Sequence, residues 1–251
     1  MRAAPVHKSP TTAFTWRSAS ATSQGNVRTH NEDAVLELPA VGLWVVADGM
    51  GGHNAGDVAS RMIVEALCAI ARPQRLSELL DGVEDRLRAV NERLYRSSLE
   101  SGRGMTGSTV AALLAFDAYC LSIWAGDSRI YRLRDGSLTC VTRDHSEVQA
   151  LIDEGVINEQ AAAHHNAANV ITRAVGGAQD LYLDLELREL RHGDRYLLCS
   201  DGLYKELSKA ILIQHLALRD VDRACKALMS QALAGPCNDN VSVVAVEFSS
   251  P

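Results

Sequence analysis

The sequence has no excess of positive charge and no long linker, and these absences narrow what the protein can do. The 251 residues carry a formal net charge of −6, whereas binding nucleic acid through its phosphates requires a basic face. We therefore expect no nucleic-acid partner. Hydrophobic residues at 47 % and charged residues at 22 % are typical of an ordinary globular protein.

Closely spaced cysteines and long apolar runs are also lacking. None of the six cysteines is spaced as in a zinc site or a redox pair, so we predict small, buried, reduced side chains. The charged N-terminal segment has no apolar core and is not a signal peptide. Apolar runs such as Thr109–Phe116 are too short to span a bilayer. These features predict a cytoplasmic protein without membrane insertion.

The chain is predicted to have a disordered tail over residues 1–13 and a single domain over residues 14–251. Apolar residues recur at helical spacing in Asp57–Ala71, Ser77–Glu100 and Asp222–Leu233, and Ser146–Glu154 reads as a shorter helix. The predicted strands are Ala34–Leu38, Leu43–Ala47, Thr109–Phe116, Tyr119–Ala125, Arg129–Arg134, Ser137–Thr142, Arg195–Cys199 and Val241–Phe248. Tight turns between strands favour antiparallel pairing, so we expect an α+β fold with sheet packed on sheet and helices outside.

Acidic residues stand next to the ends of five predicted strands. They are the pair Glu32-Asp33 and the single residues Asp48, Asp127, Asp201 and Asp239. Asp-Gly is also the usual signal of a turn, and Asp135-Gly136 is predicted to be a turn only. Asp48-Gly49 and Asp201-Gly202 differ, because helical segments rather than partner strands follow them.

Five converging carboxylates would need cations. Two unit charges about 5 Å apart repel by roughly 3 kcal/mol at an effective dielectric constant near 20. Ligands that are all oxygen favour Mg²⁺ or Mn²⁺ over zinc, and two such ions can activate a bridging water and neutralise a phosphoryl group. Arg28, five residues before Asp33, suits a phosphate contact, although a solvated surface arginine is the alternative.

Eight ordered motifs between about Ser20 and Phe248 resemble those of the type 2C metal-dependent protein phosphatases, in particular the compact bacterial enzymes. They are SQGNVRTHNEDAV, WVVADGMGGHNAGDVAS, TGSTVAALL, WAGDSRIYRLR, TRDHS, NVITRAVG, RYLLCSDGL and NDNVSVVAV. The resemblance implies a four-layer αββα sandwich in which helices flank two antiparallel sheets. It also implies hydrolysis of phosphoserine and phosphothreonine in proteins by a water between two Mn²⁺ or Mg²⁺ ions.

The resemblance further assigns the metal ligands. Asp48 would bridge both ions, the Gly49 carbonyl would bind one of them, and Asp201 and Asp239 would hold the other. Asp127 matches a residue that, with Asp201, takes a third and weaker ion in bacterial members.

Three more roles follow from the same motifs. Asp33 would position metal-bound water, Arg28 would hold the substrate phosphate, and Asn240 would support Asp239. Met50 replaces the histidine proposed as general acid in eukaryotic members, which leaves His53 or a metal-bound water as proton donors. The two hypotheses for His53 are a proton donor and a structural residue bonded to the local loop.

The partners that the resemblance implies are phosphoprotein substrates, a Ser/Thr kinase and its targets. The compact form is similar to phosphatases encoded with type VI secretion systems, where the enzyme opposes a kinase acting on a forkhead-associated scaffold protein. Residues 145–170 correspond to a flap that meets the protein substrate. Three alternatives stay open: a housekeeping phosphatase, a phosphatase of a regulatory switch, and a silent phosphoprotein-binding scaffold.

Overall fold

The computed structural model describes residues 14–51, 55–102, 104–162 and 164–250. Two antiparallel sheets lie face to face, and helices cover their outer faces. The predicted α+β fold and its four-layer αββα arrangement are confirmed.

The first sheet has the strand order β1-β11-β10-β7-β8. Its strands are β1 Thr15–Ser23, β7 Arg129–Arg134, β8 Ser137–Cys140, β10 Arg195–Cys199 and β11 Val241–Ser249. The second sheet has the order β2-β3-β5-β6-β9, and the short β4 pairs with β3. Its strands are β2 Asp33–Leu38, β3 Leu43–Met50, β4 Gly107–Ser108, β5 Val110–Phe116, β6 Tyr119–Ala125 and β9 Asp184–Glu189.

Seven helices are present in the described part of the chain. They are α1 Ala55–Cys68, α2 Leu76–Ser101, α3 Glu147–Asp153, α4 Glu159–Ala162, α5 Asp201–Tyr204, α6 Lys209–Leu216 and α7 Val221–Leu233. Apolar residues of α1 and α2 pack on the second sheet, and those of α5, α6 and α7 pack on the first. None of the helices in the described ranges is both long and apolar enough to cross a membrane.

Large side chains fill the space between the two sheets. Trp44 from the second sheet meets Phe248 from the first edge to face, with ring centroids 6.0 Å apart, and both are fully buried. Tyr196 packs against Phe248 in the same way at 5.7 Å. This interface holds the two sheets rigidly, so loops at their ends start from fixed positions.

Several sequence predictions need correction. The strands β1 and β9 were not predicted, because β1 is rich in serine and β9 points Leu185 and Leu187 into solvent from a sheet edge. Cys68 and Cys140 are exposed rather than buried, and all six cysteines are unpaired. The tail predicted over residues 1–13 lies outside the described residues.

Candidate active site

The first sheet brings three of the aspartates to one end. Strand β10 is antiparallel to both β7 and β11, so the end of β10 lies beside the starts of the other two. Asp201 follows β10, whereas Asp127 precedes β7 and Asp239 precedes β11. The antiparallel strand order therefore places these three residues at the same end of the sheet.

The second sheet contributes a directly paired set. Asp33 on β2 lies opposite Asp48 on β3 in the antiparallel register. Side chains at such paired positions share a face, with Cβ atoms about 4.5–5.5 Å apart. Asp33 is the first residue of β2, and Asp48 lies inside β3, which continues to Met50. The sequence prediction that these two residues stand just outside their strands is therefore wrong.

The segment around Ser108 and Thr109 fixes the backbone of Asp48. The Asp48 amide donates to Thr109 Oγ1 at 3.0 Å, and the Asp48 carbonyl accepts from the Thr109 amide at 2.8 Å and from Ser108 Oγ at 3.0 Å. A Cβ at Gly49 would lie 2.0 Å from the Gly56 carbonyl oxygen. Close backbone packing thus explains the glycine at position 49, and the TGSTV motif orients Asp48.

The surroundings of Asp33 disfavour its charge. Asp33 is 7 % exposed, and its Oδ2 accepts a 2.7 Å hydrogen bond from Ser200 Oγ. Within the described ranges its buried Oδ1 has no partner. Burial, together with Asp201 and Asp239, raises the pKa of Asp33 to about 7 despite the Ser200 hydrogen bond.

Two further carboxylates are perturbed in the same direction. Burial, followed by repulsion from Asp33 and Asp201, raises the pKa of Asp48 well above its usual range. Burial, followed by repulsion from Asp201 and Asp144, raises the pKa of Asp127 to about 7. The carboxylates are therefore close enough to destabilise one another when all are ionised.

This donor set fits hard divalent cations. The candidate ligands are carboxylate oxygens with a backbone carbonyl nearby, which hard cations prefer. Among the described residues one buried oxygen of Asp33 lacks a partner, and burial and mutual repulsion raise three carboxyl pKa values. In the ranges that the structure covers, no three acidic, histidine or cysteine side chains are already arranged around one point. Cationic side chains engage two of the aspartates, Arg28 on Asp239 and Lys205 on Asp201.

Arg28 lies at the rim of the site. Its Nη2 is 3.0 Å from Asp239 Oδ2, and the two side chains are 55 % and 42 % exposed. A guanidinium this exposed has donors free for an anion arriving from solvent. Arg28 is therefore a solvated arginine that also contacts one of the site carboxylates.

Asn240 fixes the loop that carries Arg28. Its side chain is buried; Oδ1 accepts from the Glu32 amide at 2.8 Å, and Nδ2 donates to the carbonyls of Gln24 and His30. Its contact with Asp239 is made instead by its backbone amide, which donates to Asp239 Oδ1 at 2.9 Å. Asn240 thus ties the N-terminal loop to the start of β11.

Sequence reasoning overlooked Ser108, Thr109, Ser200 and Lys205. The first three are buried and act through hydrogen bonds to the aspartates or their backbone. Lys205 donates to Asp201 Oδ2 at 2.5 Å and to Asn169 Oδ1 at 2.7 Å. Its spacing of four residues from Asp201 was the available signal.

The described residues between 145 and 170 form a loosely packed segment with fixed ends. At the start, Arg129 makes a forked pair with Asp144; at the end, the Thr172 amide donates to the His145 carbonyl. Between them α3 buries no residue and α4 buries only Ala162.

Beside this segment a cleft of about 410 Å³ is lined by residues that include Met50, Met105, Arg173 and Tyr182. His53, the candidate proton donor, lies outside the described residues.

A family model described as protein phosphatase 2C matches residues 22–234. The chain belongs to the protein phosphatase 2C family. The chain is 38 % identical over 232 residues to the serine/threonine protein phosphatase PstP of Mycobacterium tuberculosis, covering 92 % of this chain but 45 % of that protein. It thus spans about half the length of this curated relative.

Solved structures of the phosphatase 2C family superpose over almost the whole chain. PppA, described as a key regulatory component of T6SS in Pseudomonas aeruginosa, is 40 % identical, with a TM-score of 0.88 and coverage of 93 % of this chain and 98 % of that one. The catalytic domain of PstP in complex with two manganese ions is 36 % identical, with a TM-score of 0.86 and coverage of 95 % and 100 %.

Proposed function

We propose that the protein is a metal-dependent phosphatase that hydrolyses phosphoserine and phosphothreonine in proteins. The observation that carries this proposal is the proximity of Asp33 and Asp48 from one sheet to Asp127, Asp201 and Asp239 from the other, since these carboxylates repel one another across the two sheets. The similarity to PstP, which is named a serine/threonine protein phosphatase, supports phosphoserine and phosphothreonine as the substrates.

Four residues would hold two Mn²⁺ or Mg²⁺ ions: Asp48, Gly49 through its carbonyl, Asp201 and Asp239. When bound, the ions would supply an activated water and neutralise charge on the phosphoryl group. Bound cations would also offset the repulsion between the carboxylates, which burial makes costly. The related PstP domain with two manganese ions supports this metal choice.

The chain's own residues bind and orient around that centre. Arg28, exposed and held on Asp239, would take the substrate phosphate through its guanidinium. Asp33, with one unpartnered oxygen, would accept a hydrogen bond from the attacking water and hold it in place. Ser200 would fix the orientation of Asp33, since its hydroxyl donates to the other oxygen.

The substrate would be a protein rather than a small ester. The segment 145–170 buries little of its helices, and a cleft lined in part by Met50 lies next to it; both features support a role in contacting a protein chain. We assign the segment as a flap that contacts the substrate. The partners we propose, from the resemblance of the sequence motifs, are the kinase that the enzyme opposes and a forkhead-associated scaffold protein. The similarity to PppA, described as a component of T6SS, supports a role in that pathway.

The test is hydrolysis of phosphoserine and phosphothreonine peptides by the purified chain. Phosphate release should require Mn²⁺ or Mg²⁺ and stop on chelation, and Asp48→Asn should remove nearly all activity while the fold persists. Asp81→Asn, which neutralises an exposed carboxylate on α2, is the matched control and should stay active. Full activity in excess chelator would overturn the metal mechanism, whereas peptide binding without phosphate release would favour a silent scaffold.

A further inference from the structure

Lys205 stands out because its ammonium has two partners in different parts of the fold. Its Nζ lies 2.5 Å from Oδ2 of Asp201, which we assign to the metal centre, and 2.7 Å from Oδ1 of Asn169, at the end of the flap. Asn169 is 36 residues away along the chain. A surface lysine that only supported its own helix would have no reason to reach the second partner.

The backbone from which Lys205 extends is held firmly. The neighbouring Tyr204 donates its hydroxyl hydrogen to the Asp127 carbonyl at 3.1 Å, and the Arg129 guanidinium lies 3.7 Å over the Tyr204 ring. Arg129 in turn makes the forked pair with Asp144 at the start of the flap. Both ends of the flap therefore connect to the same short helix, α5, and Lys205 makes the second connection.

The charge of Lys205 acts on the proposed metal centre. Its side chain is 39 % exposed, that of Asp201 is 13 % exposed, and Asp127 and Asp239 also attract the ammonium. A unit positive charge beside Asp201 opposes the binding of a further cation to that carboxylate.

We propose that Lys205 is a positioning residue that couples the flap to the metal centre, because one ammonium holds Asp201 and Asn169 together. It lowers the affinity of the Asp127–Asp201 side for cations and keeps the flap end against α5. The coupling is reciprocal, as it must be for two linked equilibria. This inference rests on the proposed function for its metal centre, but its measurements need no substrate.

The experiment uses the full chain and two readouts. Mn²⁺ affinity is measured by calorimetry, and flap order by the rate of limited proteolysis within residues 145–170. Lys205→Gln should bind Mn²⁺ at least about fivefold more tightly, the low end of typical couplings, and should be cleaved faster in the flap. Asn169→Ala should speed cleavage and raise Mn²⁺ affinity by less than Lys205→Gln does, because the ammonium stays beside Asp201; this difference separates the hydrogen bond to the flap from the charge. Lys205→Arg keeps the charge and should retain wild-type Mn²⁺ affinity.

The chain contains a matched control. Lys226 on α7 pairs with Asp222 at the same i,i+4 spacing and 2.6 Å, in an exposed position. Lys226→Gln should change neither readout. Unchanged or weaker Mn²⁺ binding by Lys205→Gln, or unchanged flap cleavage in both Lys205→Gln and Asn169→Ala, would overturn the proposal. Absence of phosphatase activity in the wild-type protein would instead overturn the proposed function, and the Mn²⁺ affinity and cleavage measurements would still test the role of Lys205.

Discussion

The raised pKa of Asp33 has a consequence for stability that opposes its role in the site. Burial raises this pKa from 3.8 to about 7, so ionising Asp33 costs the metal-free folded state free energy at neutral pH. At 1.36 kcal/mol per pH unit the cost is about 4 kcal/mol at pH 8 and about 2 kcal/mol at pH 5. The contribution of Asp33 to the free energy of unfolding is fully present below about pH 4 and is lost as the pH rises through about 7.

Asp33→Asn removes that cost and introduces another. The amide oxygen still accepts from Ser200, but the amide NH₂ would occupy the position of the unpartnered Oδ1. An unsatisfied buried donor costs about 1–3 kcal/mol. The net effect at pH 8 is a stabilisation of about 2 kcal/mol, or roughly 4–8 °C in Tm, and at pH 5 it is close to zero.

The assay is thermal unfolding in chelator at pH 8 and pH 5. Asp33→Asn should melt at higher temperature than wild type at pH 8 only, with greatly reduced phosphatase activity in Mn²⁺. Mn²⁺ should raise the Tm of the wild type more than that of the variant, because the cation offsets a charge that the variant lacks. Asp81→Asn should change neither Tm. A variant less stable than wild type at pH 8, or equally stabilised at both pH values, would refute the reasoning.

Two further predictions concern how the substrate is held. Arg28→Ala should raise KM by at least about tenfold, since a charge-assisted contact contributes roughly 1.5–3 kcal/mol, and should leave Mn²⁺ affinity nearly unchanged; kinetics identical to wild type would remove Arg28 from the phosphate site. Replacing Ala161–Ala168 with a Gly/Ser linker should leave hydrolysis of an aryl phosphate within a few-fold but change kcat/KM for a phosphoprotein much more. Parallel loss of both activities with a lower Tm would show that the segment is a structural brace.

Much of the fold was predictable because its central strands are apolar and continuous. The strand prediction Tyr119–Ala125 has the observed bounds of β6, and Asp135-Gly136 forms the predicted turn between β7 and β8, both residues having positive φ. The edge strands β1, which is rich in serine, and β9, which exposes its leucines, gave no such signal. In β9 the leucines lie on the exposed face of the strand, whereas a strand is usually recognised by apolar residues on its buried face.

The acidic residues of the site could be found from their places beside strands, but their pairing could not. Asp33 and Asp48 face each other only because β2 and β3 adopt one register. Hydrogen bonds between residues remote in sequence, such as Ser200 to Asp33 and Lys205 to Asn169, depend on how the sheets and the flap pack. The helix and strand propensities of local sequence carry no information about strand register or about hydrogen bonds between remote residues.

The register that pairs Asp33 with Asp48 is set far from the carboxylates. The connection between β2 and β3 spans residues 39–42, and Gly42 has a φ of 80° with no space for a side chain, since a Cβ would lie 2.2 Å from the Ala115 carbonyl oxygen. Five residue steps along β2 place this turn about 17 Å from Asp33. Inserting or deleting one residue there would turn one aspartate to the opposite face of the sheet. The length of a remote surface turn is therefore under the same constraint as the acidic side chains themselves.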